Sequence, residues 1–517
     1  MSRMALSLEG FRMHLARRKR MQRLVNRMSS STPFLKAFGP LLFGRPERGM
    51  LRKLARLNSL QELYELFGHL IPEELLAASE AGANSRERVF TPQVTFWACA
   101  AQILNPGSPC REVVQRVEAW KGRAPGEGRS LSKSSSAYCQ ARARLDYDTL
   151  ELISGHLSWS LERNVLEEER WLEGRPVKIV DGTGISMPDT PANQVRWPQP
   201  TSQQAGCGFP MMKLVGLFSL SSGALLEAAT GNLHTHESVL FRGLWDKLKR
   251  NDILLADRGF CSYAALASLQ QRGVDSVMRL HQMRPADFRS GRALGPEDRL
   301  ITWGKPPQRP EAWSEAEFAA LPGTLALRMI RLHVAAKGFR TRTVVLVTTL
   351  LDAEIYPAEV LRELYGDRWQ VELHFHQIKT MLAMDVLRCK SPDLIEREVL
   401  MHRIAYNLVR SLMQRSAHLH HVCLERISFK GSLDALRQWS PVIAAAGASP
   451  RKQEKLINQM LSFIARDLVP ERPGRSEPRA KKRRSKNYQL LTKPRRETGN
   501  LPRRNRPQKK HPKSPLT

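Results

Sequence analysis

The sequence predicts an α/β protein: a mixed sheet flanked by helices, preceded by a helical region and followed by a basic tail. Two observations predict it. Short apolar runs begin at Pro176 and come three in succession: VKIVD (177–181), KLVGLFSL (213–220) and ALLEAATG (224–231). Runs of that length and composition read as strands. Further runs, DILLAD (252–257), Ser276 to Leu280 and TRTVVLVTTL (341–350), alternate with helical patterns, which places helices on the faces of one sheet.

The remaining segments arrange themselves around that sheet. Residues 1–32 form a basic arm without the apolar centre of a secretory signal, and read as a basic amphipathic helix lying on nucleic acid. Residues 33–172 place apolar side chains every third or fourth position, as in Leu51 to Phe67 and Tyr147 to Leu166, so they read as helices. A Gly/Ser-rich connector, GRAPGEGRSLSKSSS (122–136), interrupts them and leads into AYCQARARL (137–145). Arg142 and Arg144 there could meet phosphates, although composition alone favours a loop and a solvated helix. Residues 173–412 hold the sheet. Within them about 283–338 read as an inserted piece, with Pro285, Pro296, Pro306, Pro307, Pro310 and Pro322 among segments of mixed polarity. Helices are expected in ESVLFRGLWDKLKR, from Tyr263 to Arg272, from Pro357 to about Met384 and from Pro392 to Met413, with helix continuing over 413–466. Residues 467–517 are expected to be a disordered basic tail. From Arg472 on they carry seventeen Lys or Arg against two Glu, a net +15, and have little to bury.

Charge narrows the partners. The chain has 81 basic and 50 acidic residues, a formal net charge of +31, while its 42% hydrophobic content is ordinary. Such a balance attracts polyanions, nucleic acid foremost. The seven cysteines are scattered and form no C-x-x-C pair, which fits a reducing cytoplasm rather than a disulfide framework or zinc knuckle. No run of about eighteen apolar residues exists to span a membrane. Walker A and G-x-S-x-G motifs are absent, so ATP use and serine hydrolysis have no support.

The chemistry-bearing residues lie at strand ends. Asp181 follows VKIV and precedes Gly-Thr-Gly; Asp257 follows ILLA and precedes Arg-Gly-Phe. Each is read as a lone carboxylate where a strand stops and glycine permits a turn. Ligands of open α/β sheets gather at strand ends, so the two could face one site; for either alone, a cap or turn is the commoner role. In YGDRWQVELHFHQIK, the helical period puts Tyr365, Arg368, Glu372 and Lys379 at about 0°, −60°, −20° and −40°, one narrow stripe with His374 opposite. An Arg–Glu pair at i,i+4 is often only a surface bridge, but that explains neither Tyr365 nor Lys379. His376 falls near the stripe, and His418, His420, His421 and Cys423 lack zinc-finger spacing.

With these residues the chain resembles the bacterial DDE transposases of the insertion sequence 4 family. The family signature of Tyr, two residues, Arg, three residues, Glu, six residues, Lys reads here as Tyr365, Arg368, Glu372, Lys379 without a gap. DGT at Asp181 and ADRGF at Asp257 match its two other motifs, and the resemblance covers about residues 90–412. It implies a ribonuclease H-like catalytic domain with a mostly β insertion. It also implies that Asp181, Asp257 and Glu372 hold two Mg²⁺ or Mn²⁺ ions, and that Tyr365, Arg368 and Lys379 contact phosphates of double-stranded DNA. The reaction implied is cleavage at terminal inverted repeats and strand transfer into target DNA, by a homodimer on paired ends, in the bacterial cytoplasm at the nucleoid. Hairpin formation with a base stacked on Trp303 or Trp313 would also follow. Two other readings stand beside it: a two-metal nuclease of the same fold, and a basic DNA-binding protein without activity.

Overall fold

The computed structural model describes residues 66–76, 89–121, 132–172, 174–333, 343–446, 449–470, 491–494 and 497. The basic arm, most of the connector and most of the tail lie outside these residues. A nine-stranded mixed sheet organises the rest, in the order β3-β2-β1-β4-β5-β9-β8-β7-β6. Its first half holds β1 (Val177–Ser186), β2 (Met211–Ser219), β3 (Leu225–Asn232), β4 (Ile253–Ala256) and β5 (Asp275–Arg279). β1, β2 and β3 form an antiparallel meander, and β4 and β5 run parallel to β1. The second half holds β6 (Arg292–Gly295), β7 (Asp298–Gly304), β8 (Thr324–His333) and β9 (Thr343–Thr348), all antiparallel. The stretch expected as an insertion is thus strand-rich, and it extends the main sheet through β9 rather than standing apart.

The strands read as near-continuous apolar runs because both faces are covered. Alternation still sorts them. Val177, Ile179, Ile253, Leu255 and Val277 enter one core cluster, whereas Val180, Leu254, Ala256 and Met278 enter the other. Truncating any of these fully buried leucines to Ala should cost about 2–5 kcal/mol. Helices α1 (Pro92–Leu104), α2 (Cys110–Lys121), α3 (Ser136–Arg144) and α4 (Tyr147–Arg163) precede the sheet. Asp146 caps α4 by accepting from the Thr149 N–H. Helix α5 (Glu237–Arg242) and α6 (Tyr263–Gln271) cover the second face.

Further on, α7 (Ala358–Gly366) and α8 (Gln370–His376) belong to the signature segment, and α9 (Pro392–His420), α10 (Phe429–Ala445) and α11 (Pro450–Arg466) complete the molecule. Pro392 opens α9 and His421, at φ 52°, ends it in the left-handed region. A polar stripe on α9 binds the β2–β3 hairpin: Asn407 bonds both the N–H and C=O of Leu225, Arg410 donates to Ser222 O, and Arg403 pairs with Glu227. The start of edge strand β3 thereby has outward backbone groups occupied, at Leu225 and Leu226. Among the described residues no helix is long and apolar enough to cross a membrane.

Several expectations change. β1 runs five residues past Asp181, so that aspartate sits inside a strand and its glycines continue the ladder instead of turning. ESVLFRGLWDKLKR is helical only to Arg242, followed by a 3-10 turn at Trp245–Lys247. α9 extends beyond Met413 to His420. Residues 467–470, expected in the tail, are folded: Leu468 bridges Ile427 and the Ser428 N–H donates to Asp467 O at 2.8 Å.

Candidate active site

Register brings the first two carboxylates together. Parallel β4 pairs with β1 up to Val180 and Ala256 and then stops, so Asp181 and Asp257 are the next residue on each strand. Asp257 caps nothing: the turn at Arg258–Phe260 that it precedes has no side-chain cap bond. One Asp181 carboxylate oxygen accepts from the Gly182 N–H at 2.8 Å. Period-two alternation puts Asp181 on the same face as Val177 and Ile179, where Val371, Phe375 and Ile378 pack.

Those three apolar residues dock the signature segment on β1 and turn Glu372 toward Asp181. The segment is not one regular α-helix. α7 passes into a 3-10 turn at Asp367–Trp369, then α8, then a π turn at Gln377–Met381. A π turn of this kind is often found at functional sites. The stripe survives this irregularity. Arg368 is buried, with one Nη 3.6 Å from Asp181 Oδ2 and the other 3.9 Å from Glu372 Oε1. Both distances exceed a hydrogen bond, and its Nε is buried without a partner. Lys379 reaches β1, donating to Thr183 Oγ1 and Gly184 O, each at 2.8 Å. The Tyr365 hydroxyl is buried and unpartnered.

Burial first, and then the charges of Asp257 and Glu237, raise the Asp181 carboxyl, against the pull of the Gly182 N–H and Arg368. Glu372 is also raised, by burial and then by Asp181 and Asp257, with Arg368 opposing. Carboxylates that raise one another share a space short of positive charge. Among the described residues, no three His, Cys, Asp or Glu side chains gather closely enough to surround a single ion.

Other sequence candidates fall elsewhere. His374 is buried against Phe218, its Nδ1 3.1 Å from the Tyr406 hydroxyl, and burial lowers it to about 3. His376 is exposed, and His418 bonds Glu169 at 3.0 Å. Arg142 points inward, toward the Cys389 sulfur at 3.0 Å. Trp313 is core, packed on Trp245, while Trp303 lies under the Arg284 guanidinium at 3.8 Å. Sequence reading missed Thr183, the brace for Lys379, and Glu237, whose carboxyl carbon would lie 2.8 Å from a Cβ placed on Gly182. DGT showed the first; nothing local marked the second.

The chain is similar to known proteins along most of its length. Residues 172–408 match the family model described as the transposase DDE domain. The chain is 26% identical over 441 residues to the transposase InsG for insertion sequence element IS4 of Escherichia coli K12, covering 84% of this chain and 96% of that one. It is 26% identical over 226 residues to the putative transposase InsZ of the same strain, covering 43% and 71%. A cryo-EM structure of a piggyBac transposase synaptic complex with hairpin DNA aligns at TM-score 0.39 and 10% identity, over 83% of this chain and 87% of that one. These matches support a kinship with the DDE transposases of the insertion sequence 4 family, the family its motifs resemble.

Proposed function

We propose that this transposase binds the terminal inverted repeats of an insertion sequence, cleaves the DNA there and joins the ends to target DNA. The observation that carries the reading is the shared register step of Asp181 and Asp257, with Arg368 set between Asp181 and Glu372. Asp181, Asp257 and Glu372 are then the catalytic carboxylates and the holders of two Mg²⁺ or Mn²⁺ ions. Their hard oxygen donors suit those ions, and Arg368, buried but unbonded, leaves carboxylate oxygens open toward the shared space. When bound, the ions supply Lewis-acid charge for the attacking and leaving oxygens of phosphodiester exchange.

The chain's own residues position the DNA. Arg368 offers a planar fork for bidentate phosphate contact, and Tyr365 a buried hydroxyl with its donor free. Lys379, braced on Thr183 and Gly184, supplies a point charge beside Asp181. In this reading the chain divides into a basic arm (1–32) and a helical DNA-binding region (33–172). A ribonuclease H-like catalytic domain (173–412), C-terminal helices (413–466) and a basic tail (467–517) follow. It acts as a homodimer at the bacterial nucleoid.

The test is DNA carrying the element's own ends, with Mg²⁺ present or chelated, and wild type against Glu372→Gln. Wild type should cut and join only with metal, while the variant binds the ends and does neither. Cleavage by the variant at the wild-type rate would make Glu372 a structural residue and overturn the reading.

A further inference from the structure

The register that joins Asp181 to Asp257 continues one strand further. β5 runs parallel to β4 and pairs Met278 with Ala256, just as β1 pairs Val180 with Ala256. The next residues along the three strands are Asp181, Asp257 and Arg279, which therefore form one row across the sheet. Asp257 keeps extended backbone at this step, at φ −78° and ψ 171°, so the row is unbroken. Neighbouring strands lie about 4.8 Å apart, which sets Arg279 one step beyond Asp257 and two beyond Asp181. Alternation also fixes the face. Ile179, Leu255 and Val277 share one core cluster, and two residues further along each strand come Asp181, Asp257 and Arg279. All three therefore leave the sheet on the face where the signature segment packs.

Arg279 has nothing to hold there. It ends β5 half-buried, and among the described residues its side chain makes no hydrogen bond and no ion pair. The other end of the same strand is treated differently. Asp275 pairs with Arg175 at 2.6 Å, and Arg175 also donates to the Tyr356 hydroxyl at 3.0 Å. A half-buried guanidinium normally finds an acceptor, so one without any at the active-site end of the sheet has room for an anion. A second observation points to the same place. α7 packs on β5, and the buried, unpartnered Tyr365 hydroxyl near its end lies within reach of the charges of Arg368, Asp257 and Arg279. Arg368 stands on the Asp181 side of that hydroxyl, 3.6 Å from Asp181, and Arg279 on the Asp257 side.

We propose that Arg279 is a further phosphate-binding residue of the active site, holding the DNA backbone on the Asp257 side as Arg368 holds it on the Asp181 side. The inference rests on the reading of Asp181, Asp257 and Glu372 as the catalytic carboxylates. The three acids repel the phosphates on which they act. Arg368 and Lys379 both offset that repulsion from the Asp181 side, Arg368 beside Asp181 itself and Lys379 on Thr183 and Gly184 of β1. A second planar fork at the other end of the row supplies paired donors to phosphate oxygens and steadies the strand from both sides.

The full-length protein and DNA carrying the element's own ends test this. With metal chelated, the logarithm of end binding is plotted against the logarithm of salt concentration. Arg279→Met should lower the slope by about one, the mark of one lost phosphate contact. With Mg²⁺ present, its cleavage should fall about a hundredfold. Methionine keeps an apolar stem of similar length, so melting should stay within a few degrees of wild type. Arg279→Lys returns the charge and should return the slope. Arg368→Met is the control. If it shows both losses while Arg279→Met matches wild type in slope and cleavage, Arg279 carries no phosphate and the proposal falls. It falls equally if Arg279→Met loses stability while its folded fraction binds and cleaves as wild type does, or if lysine leaves the slope as low as methionine does. If Arg368→Met matches wild type as well, the active-site reading itself falls.

Discussion

Arg328 and Arg368 are both buried and both face carboxylates, and they are treated in opposite ways. Arg328, on β8, is fully buried; its Nε reaches both oxygens of Asp298 at 2.9 and 3.1 Å, and its Nη1 donates to the carbonyls of Asp352 and Tyr356. Arg368 stands 3.6 and 3.9 Å from its acids with one nitrogen unpaired. The first arrangement is finished within the fold and ties β7 and β8 to the chain leading into α7. The second is left incomplete by the fold, and in the proposed function a DNA phosphate completes it. Buried polar groups are usually satisfied, so an incomplete one marks a functional place more sharply than a complete one.

Removing one partner from each arrangement should separate them. Asp298→Ala strands the Arg328 charge in the core and should cost about 3–5 kcal/mol in urea unfolding; a loss below about 1 kcal/mol would show the pair to be dispensable. Arg368→Met should leave stability within about 1 kcal/mol. End cleavage should drop about a hundredfold, as when a preorganised donor to a reacting phosphate is lost. A large stability loss with normal cleavage of the remaining folded protein would reverse the comparison.

The smallest effect concerns pH. Asp181 is raised in the folded state, so the native protein holds a proton that the unfolded chain has lost as pH climbs above about 4. Stability therefore falls as pH rises from that point through the folded value. Asp181→Asn should remove this loss, melting a few degrees above metal-free wild type at pH 7 and level with it below about pH 4. Saturating Mg²⁺ should stabilise wild type alone. Equal melting of the two proteins at pH 7 without metal would mean that Asp181 is not under strain.

Much of this was legible in the sequence, because strand composition and the order of the motifs are local properties. The strand cores 177–180 and 253–256 and the polar stripe of the signature segment follow from period and composition. What was not legible depends on pairing. That β1 outruns β4 is set by where β2 continues to pair, from Asp181 opposite Gly216 to Ser186 opposite Met211. VKIVDGTGIS alone reads as a strand ending in a turn. His374 looked like an ordinary residue opposite the stripe, but its burial depends on Phe218 and Tyr406, distant in sequence. Glu237 was invisible for the same reason: nothing in HTHESVLF reports that Gly182 lies beneath it.

The continuity of the sheet has a mechanical consequence. Thr348, a single buried residue of β9, pairs with Val277 on one side and Arg328 on the other. The inserted strands are therefore a wing of the same plate that carries the aspartates, with no flexible joint between. Five inter-strand steps separate β1 from β7, the strand of Trp303, which at about 4.8 Å each is roughly 24 Å along the sheet. The plate works as a fixed gauge: whatever meets the Arg284–Trp303 face is held at a set span from Asp181, and a lengthened β8–β9 loop would leave that span unchanged.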